Sequence, residues 1–301
     1  VRVLVSGASG LIGSALCDAL FARGDDVAGL SRDPGRARRS NPRVAWHRWE
    51  PTLERPDPAA FEGVDAVVNL LGERIDQRWN DEVKRKIMET RRMGTHNLVQ
   101  AIEGLEERPK VLVSQSAVGY YGDRGAEEVD ESAGPGSSYD SEVTQAWEAA
   151  AHELDGTDVR LVIVRTGQVL SAEGGMLKEL LTPFKLGVGG PLAGGNQYVA
   201  WIHLEDEIGI LLWALDTENV SGVVNASSPN PATNRDFSKA LGRAVNRPAI
   251  APVPGFVLDL KFGREFGQIL RGGQRVMPRR TQELGYEFKH PDLDEALRDL
   301  V

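Results

Sequence analysis

Apolar residues fall in short solid runs, separated by longer stretches where they recur every three or four positions. Residues 1–5 (VRVLV) are interrupted only by Arg2, and Gly7 follows. A run of that length bounded by glycine predicts a buried strand. Over 11–23, Ile12, Ala15, Leu16, Ala19 and Leu20 take helical spacing, and Gly24 supplies a stop. Residues 26–30 predict a second strand, and 44–49, 64–71, 110–114 and 159–164 predict four more. Helices are expected over about 81–103 and 141–154. Such alternation predicts a parallel sheet covered on both faces. Right-handed crossovers make it a Rossmann-type, doubly wound α/β fold, with ligands outside the strand carboxyl ends.

After Thr166 the texture changes. Glycines crowd 171–200 around one apolar helix near 176–186, and 201–206 read as a short strand running into a helix over 206–215. Residues 223–225 suggest a last strand, and 234–301 read as helices and short loops. The texture thus divides the chain at about residue 166. Asp206 is expected to cap its helix, and His203 to pack in the core.

Composition narrows the function classes. Against 35 basic residues stand 44 acidic ones, a formal charge of −9, which argues against nucleic acid or an acidic membrane as partner. No apolar stretch reaches ~18 residues, and no charged leader precedes Val1. The one cysteine, Cys17, cannot pair within the chain, so a reducing cytoplasm is expected. The five histidines (His47, His96, His152, His203, His290) show no metal-ligand spacing. No Gly-x-Ser-x-Gly elbow suggests a hydrolase. A homodimer is the expected assembly, on the general frequency of twofold symmetry.

The turn after the first strand carries the chemistry. Gly7, Gly10 and Gly13 give G-x-x-G-x-x-G between a predicted strand and a predicted helix. The first glycine permits the sharp turn, the second lets backbone approach a pyrophosphate, and the third lets helix and strand pack. The helix start then presents free N–H groups to phosphate. We therefore assign Gly7, Ser9, Gly10, Leu11, Ile12 and Gly13 to a dinucleotide. Where an acidic residue would bind a ribose 2′-OH, the second strand ends in Ser31-Arg32. A hydroxyl and a guanidinium suit a 2′-phosphate, so the expected cofactor is NADP(H). Arg36 and Arg38 stand close behind.

Several motifs occur in a familiar order: the Gly-rich start, SRDP, Ser116-Ala117-Val118-Gly119-Tyr120-Tyr121-Gly122, Trp201-Ile202-His203-x-x-Asp206, Pro229-Asn230-Pro231 and Leu284-Gly285-Tyr286-x-Phe288. Over the whole chain they resemble the extended short-chain dehydrogenase/reductase superfamily. More narrowly, the chain is similar to its NAD-dependent epimerase/dehydratase-like branch, the nucleoside-diphosphate-sugar epimerase family proteins of unassigned substrate. The resemblance implies a dinucleotide-binding domain over 1–166, with 201–227 returning to it, interleaved with a smaller C-terminal α/β substrate domain mainly over 167–301. It also implies a bound NADP(H) and a catalytic pair, Ser116 and Tyr139. Leu70, Leu71, Gly72, Glu73, Ser114 and Val169 are the further cofactor positions, with Lys86 and Arg91 reaching its ribose or phosphates. Tyr120, Tyr121, Arg275 and Arg279 are the substrate candidates, the arginines for an anionic group.

One departure matters. The family's Tyr-x-x-x-Lys places a lysine four residues after the tyrosine, where it lowers the phenol pKa. Here Val143 stands in that position, and a phenol near its reference pKa of ~10 is a poor base at neutral pH. Two readings follow. The first is an oxidoreductase or epimerase-like enzyme passing hydride to or from a small polar, nucleotide-sugar-like substrate. The second is a non-catalytic NADPH-binding redox sensor or scaffold. An enzyme requires an open pocket beside the nicotinamide, whereas a sensor would fill or cover that space.

Overall fold

The computed structural model describes residues 1–301. The chain begins with β1 (Arg2–Ser6), α1 (Leu11–Ala22), β2 (Asp26–Ser31), α2 (Pro34–Ser40) and β3 (Ala45–Arg48). It continues through β4 (Ala66–Asn69), α3 (Asp81–Glu103), β5 (Val111–Ala117), β6 (Glu128–Val129), α4 (Tyr139–Ala151) and β7 (Arg160–Thr166). The later part is more broken: β8 (Gln168–Leu170), α5 (Gly175–Lys185), β9 (Tyr198–Val199), β10 (Trp201–His203), α6 (Leu204–Asp216), β11 (Gly222–Ala226), β12 (Ala232–Thr233) and α7 (Asn234–Ala244). Then come α8 (Gly255–Phe262), α9 (Arg264–Arg271), β13 (Arg275–Val276), α10 (Arg279–Glu283) and α11 (Leu293–Leu300).

Seven parallel strands form one sheet in the order β11-β7-β5-β4-β1-β2-β3. It is a doubly wound Rossmann-type sheet. Successive β1 residues serve opposite faces, as strand pleating requires. Val3 and Val5 pack with Leu16, Leu20, Ile210 and Leu211 of α1 and α6. Leu4 packs with Leu98, Val99 and Ile102 of α3. With both faces covered, the strands read as continuous apolar runs. Three two-stranded ladders, β8/β10, β9/β12 and β6/β13, lie outside the sheet. A separate core of Leu177, Phe184, Trp201, Phe237, Leu241 and Leu297 joins α5, α7 and α11. No helix is long and apolar enough to cross a membrane.

Several element boundaries depart from the sequence pattern. β4 ends at Asn69, short of the expected residue 71. There Asn69 accepts from the Ser6 hydroxyl at 2.7 Å and donates to Thr95 Oγ1 and Ser114 Oγ at 2.9 and 3.3 Å. α4 starts at Tyr139, two residues earlier than expected. α6 starts at Leu204 and is capped by His203, whose Nδ1 accepts the Glu205 N–H at 3.1 Å. Asp206 is therefore not the cap. Its buried carboxylate instead accepts the Lys289 and His290 N–H groups at 2.7 and 2.9 Å and fixes the segment before α11.

A buried ion pair joins α4 to the sheet. Arg165 on β7 donates from Nε and Nη2 to the two Glu148 oxygens, each at 2.8 Å, with side chains 4% and 7% exposed. Such two-pronged bonding fixes geometry as well as charge. Removing one partner of a buried pair leaves an uncompensated charge. Glu148→Ala is therefore expected to lower the free energy of unfolding by about 3–5 kcal/mol, measured by urea titration. A loss under ~1 kcal/mol would show the pair to be as dispensable as an exposed one.

Candidate functional site

Because all seven strands run parallel, their carboxyl ends meet along one edge, and the Gly-rich turn lies there. Gly7 has φ +70°, and a Cβ on it would lie 2.6 Å from the Leu70 carbonyl oxygen. A Cβ on Gly13 would lie 2.2 Å from the Gly7 oxygen. Side chains at these two positions would drive the turn apart. α1 opens on Gly10 with no side-chain cap, and its first helical bond is Ser14 N–H to Gly10. The Leu11, Ile12 and Gly13 N–H groups thus lack partners within the chain, the arrangement that receives phosphate at a helix start. Ser9 and Gly10 are exposed beside them.

At the end of β2, the Ser31 hydroxyl accepts the Asp33 N–H at 3.1 Å, and Asp33 caps α2. Arg32 is exposed and in no ion pair within the chain. On the other side of the turn, Leu70, Leu71, Gly72 and Glu73 leave β4. Arg91 reaches them from α3, donating from Nη1 to the Glu73 and Ile87 carbonyls at 3.0 and 3.3 Å. Its guanidinium sits over the Trp147 ring at 4.9 Å. Desolvation pulls the Arg91 pKa down to about 10, against the attraction of Glu73. Val169, on β8, is half-buried beneath the α1 side.

Beyond the ends of β5 and β7 lies a cleft of about 510 Å³. Its walls include Arg91, Ala117, Gly119, Tyr139, Asp140, Val143, Thr166 and Gln274. The outer wall is α9, with α8 packed behind it through Phe262, and it is docked by aromatic packing. Trp79 stacks on Phe266 at 4.8 Å and meets the edge of Tyr139 at 5.7 Å. Lys84 pairs with Glu265 at 2.8 Å across the same seam. Val143 belongs to this apolar cluster with Trp79, Ile87 and Phe266. Packing thus occupies the place where a lysine would be needed.

The catalytic pair expected from the resemblance is not assembled. Tyr139 lines the cleft, but its hydroxyl donates to the Lys84 carbonyl at 2.8 Å. Burial raises its pKa, with Lys84 opposing. Ser116 is buried behind the wall and donates to Glu148 Oε1 at 2.6 Å. Tyr121 is fully buried, donating to Asn225 at 2.7 Å and accepting from Arg165 at 3.1 Å. Tyr120 lies under the Arg165 guanidinium at 3.4 Å. These three serve the buried ion pair and do not face the cleft.

The remaining cations are also engaged elsewhere. Arg275 pairs with Glu128, and Arg279 with Glu128 and Asp130, clamping the β6 loop to the segment around β13. Lys86 pairs with Glu82 on an exposed helix face. Ser114 is spent on the Asn69 network. Sequence reasoning missed Asp140, Thr166, Gln274 and the Trp79–Phe266 seam. None carries a local signal, because each depends on which way a distant element turns. The fold also gathers His203, Glu205 and His290, with ligand atoms within 4.8 Å. The bond His203 Nδ1 accepts from Glu205 keeps the neutral ring's proton on Nε2.

The fold and the glycine cradle define a dinucleotide-binding protein with a substrate cleft at the carboxyl edge of its sheet. The profile of the NAD dependent epimerase/dehydratase family matches residues 3–227, and the chain belongs to that family. A second profile, a domain of unknown function (DUF1731), matches residues 253–300. The human epimerase family protein SDR39U1 is 40% identical over 309 residues, covering 100% of both chains. An epimerase family protein of Mycobacterium tuberculosis, MT2273, is 38% identical, covering 98% of this chain and 96% of its own. The crystal structure of human SDR39U1 (isoform2) with NADPH superposes with a TM-score of 0.90 at 38% identity, over 100% and 99% of the two chains. UDP-glucuronic acid 4-epimerase from Bacillus cereus, at 18% identity and a TM-score of 0.79 over 100% and 98%, shares the fold.

Below the cleft floor, Glu207 is fully buried and accepts the Thr166 hydroxyl at 2.9 Å, while its Oε2 has no partner. Burial pushes its pKa up to about 8, with the Thr166 bond opposing. Between the usual carboxyl value of 4.5 and about 8, the folded chain keeps a proton that the unfolded chain has lost. Stability is therefore fully present below that range and declines as pH rises through it. Glu207→Gln removes this decline. Urea unfolding should show the variant gaining on the wild type as pH goes from ~5 to ~8, and parallel curves would refute the assignment.

Proposed function

We propose that the chain is an NADP(H)-dependent oxidoreductase or epimerase-like enzyme acting on a small polar, nucleotide-sugar-like substrate. The observation that carries this is the open cleft of about 510 Å³ beyond β5 and β7, on the same sheet edge as the uncapped start of α1. A sensor or scaffold has no use for such a space beside the nicotinamide. The NADPH in the human relative's crystal structure supports the choice of cofactor.

Gly7, Ser9, Gly10, Leu11, Ile12 and Gly13 would hold the pyrophosphate by backbone N–H groups. Ser31 and Arg32 would take the 2′-phosphate. Leu70, Leu71, Gly72, Glu73 and Val169 would flank the ribose and nicotinamide, with Arg91 supplying positive charge. Bound NADP(H) supplies the hydride. The chain supplies orientation and a site shielded by the Trp79–Phe266 seam, where water is thinned and electrostatic contacts strengthen. In this reading 1–166 with 201–227 bind the cofactor, and the rest of 167–301 mainly shapes the substrate side. Buried Cys17 suits a reducing cytoplasm.

Fluorescence titration of the purified protein should show NADPH binding far more tightly than NADH. Arg32→Ala should weaken NADPH by about 10- to 100-fold, the loss of a charge-assisted contact, and leave NADH unchanged. Equal affinities in the wild type would remove the 2′-phosphate assignment. No binding of either nucleotide would remove the enzyme reading.

A further inference from the structure

We propose that Asp140 is the acid–base residue of the cleft, exchanging a proton with the reacting oxygen of a carbonyl substrate. This rests on the NADP(H) reading above. Asp140 is the second residue of α4 and lies on the cleft wall with its Oδ2 over Gly119, where an added Cβ would come within 3.0 Å. That is the carboxyl end of β5, beside the substrate space.

No hydrogen bond ties the carboxyl to another element of the fold. Asp33, Asp57 and Asp292, at other helix starts, each accept a backbone N–H. Asp140 Oδ1 is sealed from solvent without a hydrogen-bond partner. Of the other ionisable groups around the cleft, all but the Tyr198 phenol are committed. Tyr139 donates to Lys84, Lys84 pairs with Glu265, and Asp123 accepts the Gly125 and Gly273 N–H groups. Arg91 donates to two carbonyls, and Tyr198, across the cleft on β9, faces Arg275. Val143, one turn along α4, brings no charge. Desolvation raises the Asp140 pKa, partly offset by the Ser138 hydroxyl and the first amides of α4. A carboxyl moved toward neutral pH is a better proton donor and acceptor.

In the reducing direction the carbonyl carbon accepts hydride from NADPH, and its π electron pair moves to oxygen. That oxygen takes the Asp140 proton. The products are the alcohol, NADP⁺ and the Asp140 carboxylate, which solvent reprotonates. Oxidation of the alcohol runs the same transfers backwards.

The test uses full-length protein saturated with NADPH and labelled with ¹³C-carboxyl aspartate, with Asp140→Asn identifying the signal. The Asp140 carbon should titrate above the ordinary carboxylate range, and Gly119→Ala, which crowds Oδ2, should shift its midpoint. In NADPH-dependent reduction of 9,10-phenanthrenequinone, the wild-type kcat should follow that midpoint. Asp140→Asn should lower kcat by ~100-fold or more and abolish its pH dependence, with NADPH affinity retained. An ordinary midpoint overturns the proposal. So does retained turnover in Asp140→Asn, loss confined to Tyr139→Phe, or no quinone reduction by a wild type that binds NADPH. Failure of the wild type to bind NADPH overturns the cofactor reading instead.

Discussion

The bidentate pair between Glu148 and Arg165 is the contact on which the catalytic half of the structure depends. Two charges taken from water need every remaining donor and acceptor satisfied, and here the neighbours are drawn in to do it. Ser116 completes Glu148, the Tyr121 hydroxyl accepts from Arg165 and donates on to Asn225, and Tyr120 lies against the guanidinium face. Through these bonds α4, β5, β7 and β11 hold one relative position. The same demand explains why Ser116, Tyr120 and Tyr121 are absent from the cleft.

What remains at the cleft is set by exclusion. With the Ser116 hydroxyl and the Tyr139 phenol turned to other partners, and the lysine position given to Val143 packed against Trp79, Ile87 and Phe266, the Asp140 carboxyl is an acidic group left unbonded on the cleft wall. The outer wall is built from aromatic rings and a single Lys84–Glu265 seam. The inner wall is small: Ala117 and Gly119 let α4 approach the strand end. Substrate would meet an apolar, partly enclosed surface with few formal charges.

Legibility in the sequence followed the range of the forces involved. The glycine turn was readable because its requirement is local, with three residues that must lack side chains between a strand and a helix. The parallel, doubly wound sheet followed from apolar runs and crossover handedness. Side-chain direction was not readable. β5 is buried on both faces, so hydropathy gives no parity to tell that Ser116 faces α4. A two-residue error in the start of α4 hid the position of Asp140. Arg275 and Arg279 looked like anion anchors, but their partners, Glu128 and Asp130, stand far back in the sequence, so no window of sequence shows them together. His203 taking the cap freed Asp206 for the distant residues 289 and 290, a substitution of roles decided only by tertiary contact.

The pairing of β6 with β13 has a temporal consequence. A ribosome delivers the chain from residue 1 onward, yet the loop at Glu128–Val129 finds its strand partner only at Arg275–Val276. The edge strand β11 likewise reaches β7 only after residue 222 has emerged. The glycine turn and its strands are available early, while the wall of the cleft stays open until residues 264–276 have been made. A nascent chain would therefore hold a nucleotide platform before it has a reaction chamber, and chaperones would meet the exposed end of β5 in the interval.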